Sequence, residues 1–202
     1  MTGAIQAKGP LSPDQLSIAR LVPKGSRVLD LGCGTGALLD HLIRTRGCSG
    51  YGVEIDDANV QACVARGVNV IQFNLEDGLA LFGDASFDVV LQIDTLPHLR
   101  NAEVMLRETA RVGRIGIVAF PNFGHCPNRL AVLRGRMPVT KVLPYQWYDT
   151  PNIRVGTLQD FAALAGQNRL QVLDSFGLQD GREIRFWPNA RASRAVFKLQ
   201  RA

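Results

Sequence analysis

The chain has 202 residues, 46% of them apolar and 20% charged, which suits one globular domain with a sizeable core and leaves little for a second. No apolar run approaches the roughly 20 residues that cross a bilayer, and the N-terminus has no apolar stretch of the secretory kind, so the expectation is a cytoplasmic protein without a membrane partner. A formal net charge of +5 admits a nucleic-acid partner in principle, but the basic residues are spread out and little interleaved with aromatics, which argues against one.

Residues 1–12 read as a flexible leader and residues 13–202 as a single domain. Ser12 is a candidate N-cap for a short helix ending at Leu21. A short apolar strand over 27–31 runs into a glycine-rich turn, and Leu38, Leu39, Leu42 and Ile43 give helical spacing over 37–46. A strand over 49–55, a helix over 57–66 stopped by Gly67, a strand over 68–73 and a helical turn over 77–81 follow. The stretch 87–93 is the most continuously apolar and therefore a central strand, buried on both faces. A helix over 101–112, a strand over 115–120, a helix over 157–167 with Thr157 and Asp160 as a capping pair, and strands over 170–175 and 195–199 complete the set. Strand–helix alternation predicts an α/β, Rossmann-like fold. Its sheet has seven mostly parallel strands, the last antiparallel, with helices on both faces.

Two segments stand out from this rhythm. Residues 121–156 form a long insertion rich in Pro, Gly and Asn, and loops of that length in a domain are functional or disordered. Its aromatics, among them Trp147 and Tyr148, argue for order, serving as a lid over a ligand or as a cluster fixing the loop. The tail from 182 to 201 carries six basic residues and one acid, Glu183, and reads as a solvated edge strand.

The glycine turn carries the chemistry. In Asp30-Leu31-Gly32-Cys33-Gly34-Thr35-Gly36 the chain turns sharply from strand to helix, and the missing side chains let a ligand approach the backbone. A tight turn that binds nothing would look the same. Asp30 weighs against that, because a carboxylate there repels a pyrophosphate and suits a ligand bearing an ammonium and a sulfonium. That chemistry favours S-adenosylmethionine (or S-adenosylhomocysteine) over a nicotinamide dinucleotide. Glu54, at the next strand end, can accept both ribose hydroxyls. Ile55 is a candidate for the adenine face, or for the core. Asn74 and Leu75, beyond the third strand, are candidates for the adenine edge, with a plain turn as the alternative for Asn74. The four cysteines include no C-x-x-C pair and no metal site is expected.

The stretch Val28 to Gly36 resembles motif I of class I S-adenosylmethionine-dependent methyltransferases. Gly50-Tyr51-Gly52-Val53-Glu54-Ile55-Asp56, residues 66–72, Phe120-Pro121-Asn122-Phe123-Gly124-His125 and the long segment 135–153 resemble the methionine biosynthesis protein MetW family. That resemblance implies a cytoplasmic protein of methionine biosynthesis that assists a homoserine O-acyltransferase, MetX, without deciding whether it transfers methyl groups itself. The sequence departs from the family pattern at Asn74, Asp94 and Cys126. For an active methyltransferase the candidate bases are His98 and His125, beyond the fourth and fifth strands, with Asp94 able to orient His98; packing or surface roles are the alternatives. A nucleic-acid methyltransferase is the third class, and the Asn-Pro-Pro-Tyr motif typical of amino-methylating enzymes is absent.

Overall fold

Parallel strands need a crossover element to carry the chain back, and here helices supply it. The computed structural model describes residues 11–202. Its strands are β1 (Arg27–Leu31), β2 (Ser49–Glu54), β3 (Val70–Gln72), β4 (Phe87–Ile93), β5 (Gly113–Pro121), β6 (Leu170–Gln179), β7 (Arg182–Ile184) and β8 (Arg194–Arg201). The helices are α1 (Pro13–Leu21), α2 (Ala37–Arg46), α3 (Asp57–Arg66), α4 (Ala102–Val112), α5 (Cys126–Leu133), α6 (Leu158–Gln167) and α7 (Pro188–Arg191). They cross one eight-stranded sheet ordered β3-β2-β1-β4-β5-β8-β6-β7. β3 through β5 run parallel, and β8 lies antiparallel to both β5 and β6.

The α/β architecture expected from the alternation is present, with one strand more than the seven expected. The extra strand is β7, which returns on β6 through the two-residue turn Asp180-Gly181. Both turn residues have positive φ, 49° and 81°, the conformation Asp-Gly turns adopt in tight hairpins. β7 is the sheet edge, so β8 is interior rather than the edge strand expected of the tail. Of the leader expected over 1–12, residues 1–10 lie outside the described residues. Ser12 is the N-cap of α1 in a capping box with Gln15, and Leu11 packs on the core.

Alternation along the strands splits the core into two layers. One face carries Leu29, Leu31, Val90, Val118 and Phe120 against α4 and α6. The other carries Val28, Val89, Leu91, Ile117 and Ala119 against α1 and α2. Phe120, Phe161 and Phe197 form an aromatic cluster in the first layer, with ring centroids 4.4–6.3 Å apart. The caps expected for α6 are present: Thr157 and Asp160 form a reciprocal pair. Gly47 and Gly67 end α2 and α3 in the left-handed conformation.

Candidate functional site: the glycine loop between β1 and α2

The strand order reverses beside β1, whose neighbours are β2 and β4. In open α/β sheets the crevice at such a point, outside the carboxyl ends of the strands, is where ligands sit. The glycine loop occupies it. Gly32, Gly34 and Gly36 have φ of 71°, 55° and 73°, values that cost other residues energy. Gly32 is also needed for space. A Cβ there would lie 2.6 Å from Thr95 Oγ1, and that hydroxyl donates to the Leu31 carbonyl at 2.6 Å. Thr95 is a buried support of the loop that sequence reasoning missed, because it follows β4 and nothing local marks it.

Glu54 is buried at the tip of β2. Its Oε2 accepts the Gly34 N–H at 2.8 Å, and its Oε1 accepts the N–H groups of Ile55 and Asp56 at 2.8 and 3.0 Å. The carboxylate thus fixes the loop while keeping lone pairs for a ligand. Asp30 is 3% exposed. Burial, and then the negative charge of Glu54, push its carboxyl up to about 7. Among the described residues neither a hydrogen bond nor a cation compensates it, so within them it is a buried acid without a positive partner. Gly32, Cys33 and Gly34 are half-buried, so their backbone is reachable.

Around this centre the other expected residues divide. Ile55 is 60% exposed beside the loop, a position for a flat apolar ligand face and not for core. Asn74 is exposed and caps the short helical turn Leu75–Asp77, its Oδ1 accepting the Glu76 N–H at 3.0 Å. Its turn role is therefore real. The Leu75 side chain is in the core, leaving only its main chain for a ligand.

The expected pairing of Asp94 with His98 is not formed. Asp94 (φ 60°) is ion-paired to Arg194 of β8, which also reaches Asp14 of α1 at 3.3 Å. His98 lies exposed on the turn Leu96–His98. His125 differs: it is half-buried at the N-cap of α5, and burial holds its imidazole below the usual range.

The long connection over 121–156 holds a helix the sequence reading did not find, α5. It is fastened at its base by Asn122, which is fully buried. Asn122 Nδ2 donates to the carbonyls of Asn189 and Ala192 at 2.9 and 2.8 Å, and its Oδ1 accepts the Gly124 N–H at 3.0 Å. Its far end returns to the sheet rim, where the N–H groups of Ile153 and Arg154 both reach the Pro97 carbonyl at 3.0 Å. Trp147 and Tyr148 make an edge-to-face pair, centroids 5.7 Å apart, and each is 72% exposed. They do not pack the loop down; the hydrogen bonds at its ends do. A separate groove of about 500 Å³, lined by residues including Arg129 and Trp187, shares no residue with the glycine loop. Among the described residues no group of His, Cys, Asp and Glu is arranged to hold a metal, and no helix is long and apolar enough to cross a membrane.

Known proteins resemble the chain at two levels. The profile of the family described as methionine biosynthesis protein MetW matches residues 12–199. The bifunctional methionine biosynthesis protein MetXA/MetW of Rhodopirellula baltica is 34% identical over 98% of the chain. The chain spans 34% of that relative's length. Among solved structures, a S-adenosylmethionine-dependent methyltransferase of Thermotoga maritima, described as a possible histamine N-methyltransferase, superposes with a TM-score of 0.67 at 18% identity, covering 94% of this chain and 88% of its own. The [4+2]-cyclase SpnF superposes at 0.65 and 16% identity, covering 93% and 81%. These likenesses establish a fold shared with S-adenosylmethionine-dependent methyltransferases.

Proposed function

The chain belongs to the methionine biosynthesis protein MetW family, and from that membership we propose that it binds S-adenosylmethionine at the glycine loop and assists or regulates a homoserine O-acyltransferase of the MetX type. The observation that carries the partnership is the relative in which a MetXA part and a MetW part share one polypeptide. A cytoplasmic location goes with this reading.

The site suits the nucleotide. The buried acid Asp30 would take the ligand ammonium, and a dianionic pyrophosphate would be repelled by Asp30 and Glu54 together. Glu54 would take the ribose hydroxyls, Ile55 the adenine face, and Asn74 with the Leu75 main chain the adenine edge. Gly32, Cys33, Gly34 and Gly36 would supply the bare backbone beneath. When bound, the ligand contributes an electrophilic methyl carbon on a positively charged sulfur. For a regulatory role, the nucleotide must bind the acyltransferase complex and the free protein with different affinity.

Two measurements test the reading. In calorimetry, Gly34→Val should abolish nucleotide binding, since the backbone (φ 55°) disfavours a β-branched residue and the side chain would project at the ligand; an unchanged affinity removes the loop assignment. In a pull-down with purified acyltransferase, with and without S-adenosylmethionine, the chain should be retained and should raise acyltransferase activity. An acyltransferase fully active alone under every nucleotide condition defeats the partnership.

A catalytic reading, small-molecule methyl transfer, has one observation in its favour: His125 is a half-buried base lying beyond β5. Its lowered pKa keeps it neutral and able to accept a proton near pH 7. Release of S-adenosylhomocysteine in the presence of an acceptor, lost in His125→Ala, would select this reading.

A further inference from the structure

Two thiols that the proposed function leaves unused meet beneath the glycine loop. Cys33 belongs to the loop and Cys63 to α3, and their Sγ atoms are 3.8 Å apart. Two glycines make the space for them. The Cys33 sulfur fills the place a Cβ would need on Gly52, and a Cβ on Gly36 would come within 2.9 Å of the Cys63 sulfur. The contact has a structural consequence, because the Cys63 thiol donates to the Gly34 carbonyl at 3.2 Å. The N–H of that same glycine is held by Glu54. One residue of the ligand loop is therefore clamped from both sides, and one clamp is a thiol hydrogen.

We propose that Cys33 and Cys63 are a modification site, oxidised by a hydroperoxide to an intramolecular disulfide that releases the glycine loop and weakens nucleotide binding. The proposal rests on the nucleotide reading of the loop. Chemically, the peroxide oxygen passes to one sulfur, giving a sulfenic acid and, from hydrogen peroxide, one water. The second thiol displaces the hydroxyl as a second water and the S–S bond forms. Two thiols lose two electrons and two hydrogens, and the O–O bond accepts them. A dithiol reverses the step by exchange.

The effect on the loop follows from the bond. A disulfide brings the sulfurs to about 2 Å, so the thiol contact must shorten and Cys33 moves toward α3. Cys63 also loses the hydrogen it gives to Gly34. The hydrogen bond between the thiols holds Cys63 below the usual thiol range and pushes Cys33 above it. The half-buried Cys33 is the sulfur a peroxide reaches, and the fully buried Cys63 resolves its sulfenic acid; with Cys33 held in the thiol form, oxidation should proceed slowly in millimolar peroxide rather than at the rate of a dedicated peroxidase. A nucleotide resting on the loop covers the half-buried Cys33, so ligand and oxidant should oppose one another reciprocally.

The test uses the full chain, treated with hydrogen peroxide that is then removed. Under denaturing conditions two of the four thiols should be lost, and peptide mapping should join Cys33 to Cys63. S-adenosylmethionine affinity should fall by about tenfold or more and return with dithiothreitol, and bound nucleotide should slow the thiol loss. Cys63→Ser retains a hydroxyl donor for Gly34, and its affinity, whatever its starting value, should not change on peroxide treatment. A mapped Cys33–Cys63 bond with unchanged affinity overturns the proposal, as does thiol loss without that bond. If the reduced protein binds no nucleotide, the functional reading fails instead. The pair is then judged by hydrogen exchange of residues 32–36, which should quicken on oxidation; an unchanged rate overturns the pair as well.

Discussion

At the scale of single residues, Asp30 has the most measurable consequence. Its carboxyl is raised from 3.8 to about 7 by burial and by Glu54. The fold thus favours the protonated form, whose contribution to stability is complete below the ordinary pKa and is lost as pH rises through about 7. Asp30→Asn removes this titration. Urea unfolding should show wild type losing stability against the variant between about pH 4 and about pH 7, by at most a few kcal/mol. A ligand ammonium reverses the preference, since it favours the carboxylate. Nucleotide affinity should therefore rise with pH across the same window, with proton release seen by calorimetry in buffers of different ionisation enthalpy; equal affinity at both ends would remove Asp30 from the site. Asp30 and Glu54 were legible in the sequence because strand-end acids beside a glycine turn are local features. The Asp94–Arg194 pair and the Thr95 support were not, because each joins residues far apart in the chain. An acid near a histidine in sequence was a poor guide to which cation it meets.

At the scale of elements, the connection after β5 is fastened at its base by a buried side chain. Asn122 satisfies three backbone groups, and Asn122→Ala would leave them without a partner in a buried setting. Each such group costs about 1–3 kcal/mol, so the variant should unfold at markedly lower urea concentration and be cut faster by protease within residues 123–156. A variant with wild-type stability and protease resistance would show that the loop holds itself. The missed elements did leave signals. α5 begins with a proline in its first turn, Pro127, a start mark hidden among the surrounding turn-forming residues. The β6–β7 hairpin was announced by Asp180-Gly181, just ahead of a tail read for its charge instead. The repeating strands and helices were recovered because their periodicity is intrinsic to the segment.

At the scale of the whole molecule, the parallel half of the sheet was readable and the order of the antiparallel half was not, since strand pairing depends on partners distant in the chain. The exposed aromatic pair belongs to this scale too. Because Trp147 and Tyr148 are 72% exposed, replacing both by alanine should change stability by only about 0.5 kcal/mol. If the long connection carries the acyltransferase contact, the same double variant should weaken the complex by about tenfold or more while nucleotide affinity stays as in wild type. Retention of the acyltransferase at full strength would move the interface elsewhere.

The position of β8 has a bearing on how the chain matures. It leaves the ribosome after the other seven strands of the sheet, yet it fills the gap between β5 and β6. Until residues 194–201 emerge, β5 keeps a raw border of unpaired amides and carbonyls, and the β6–β7 ribbon has nothing to zip onto. Closure of the sheet must therefore wait for translation of that strand, and a nascent chain stalled before it would be sticky and a natural client for chaperones.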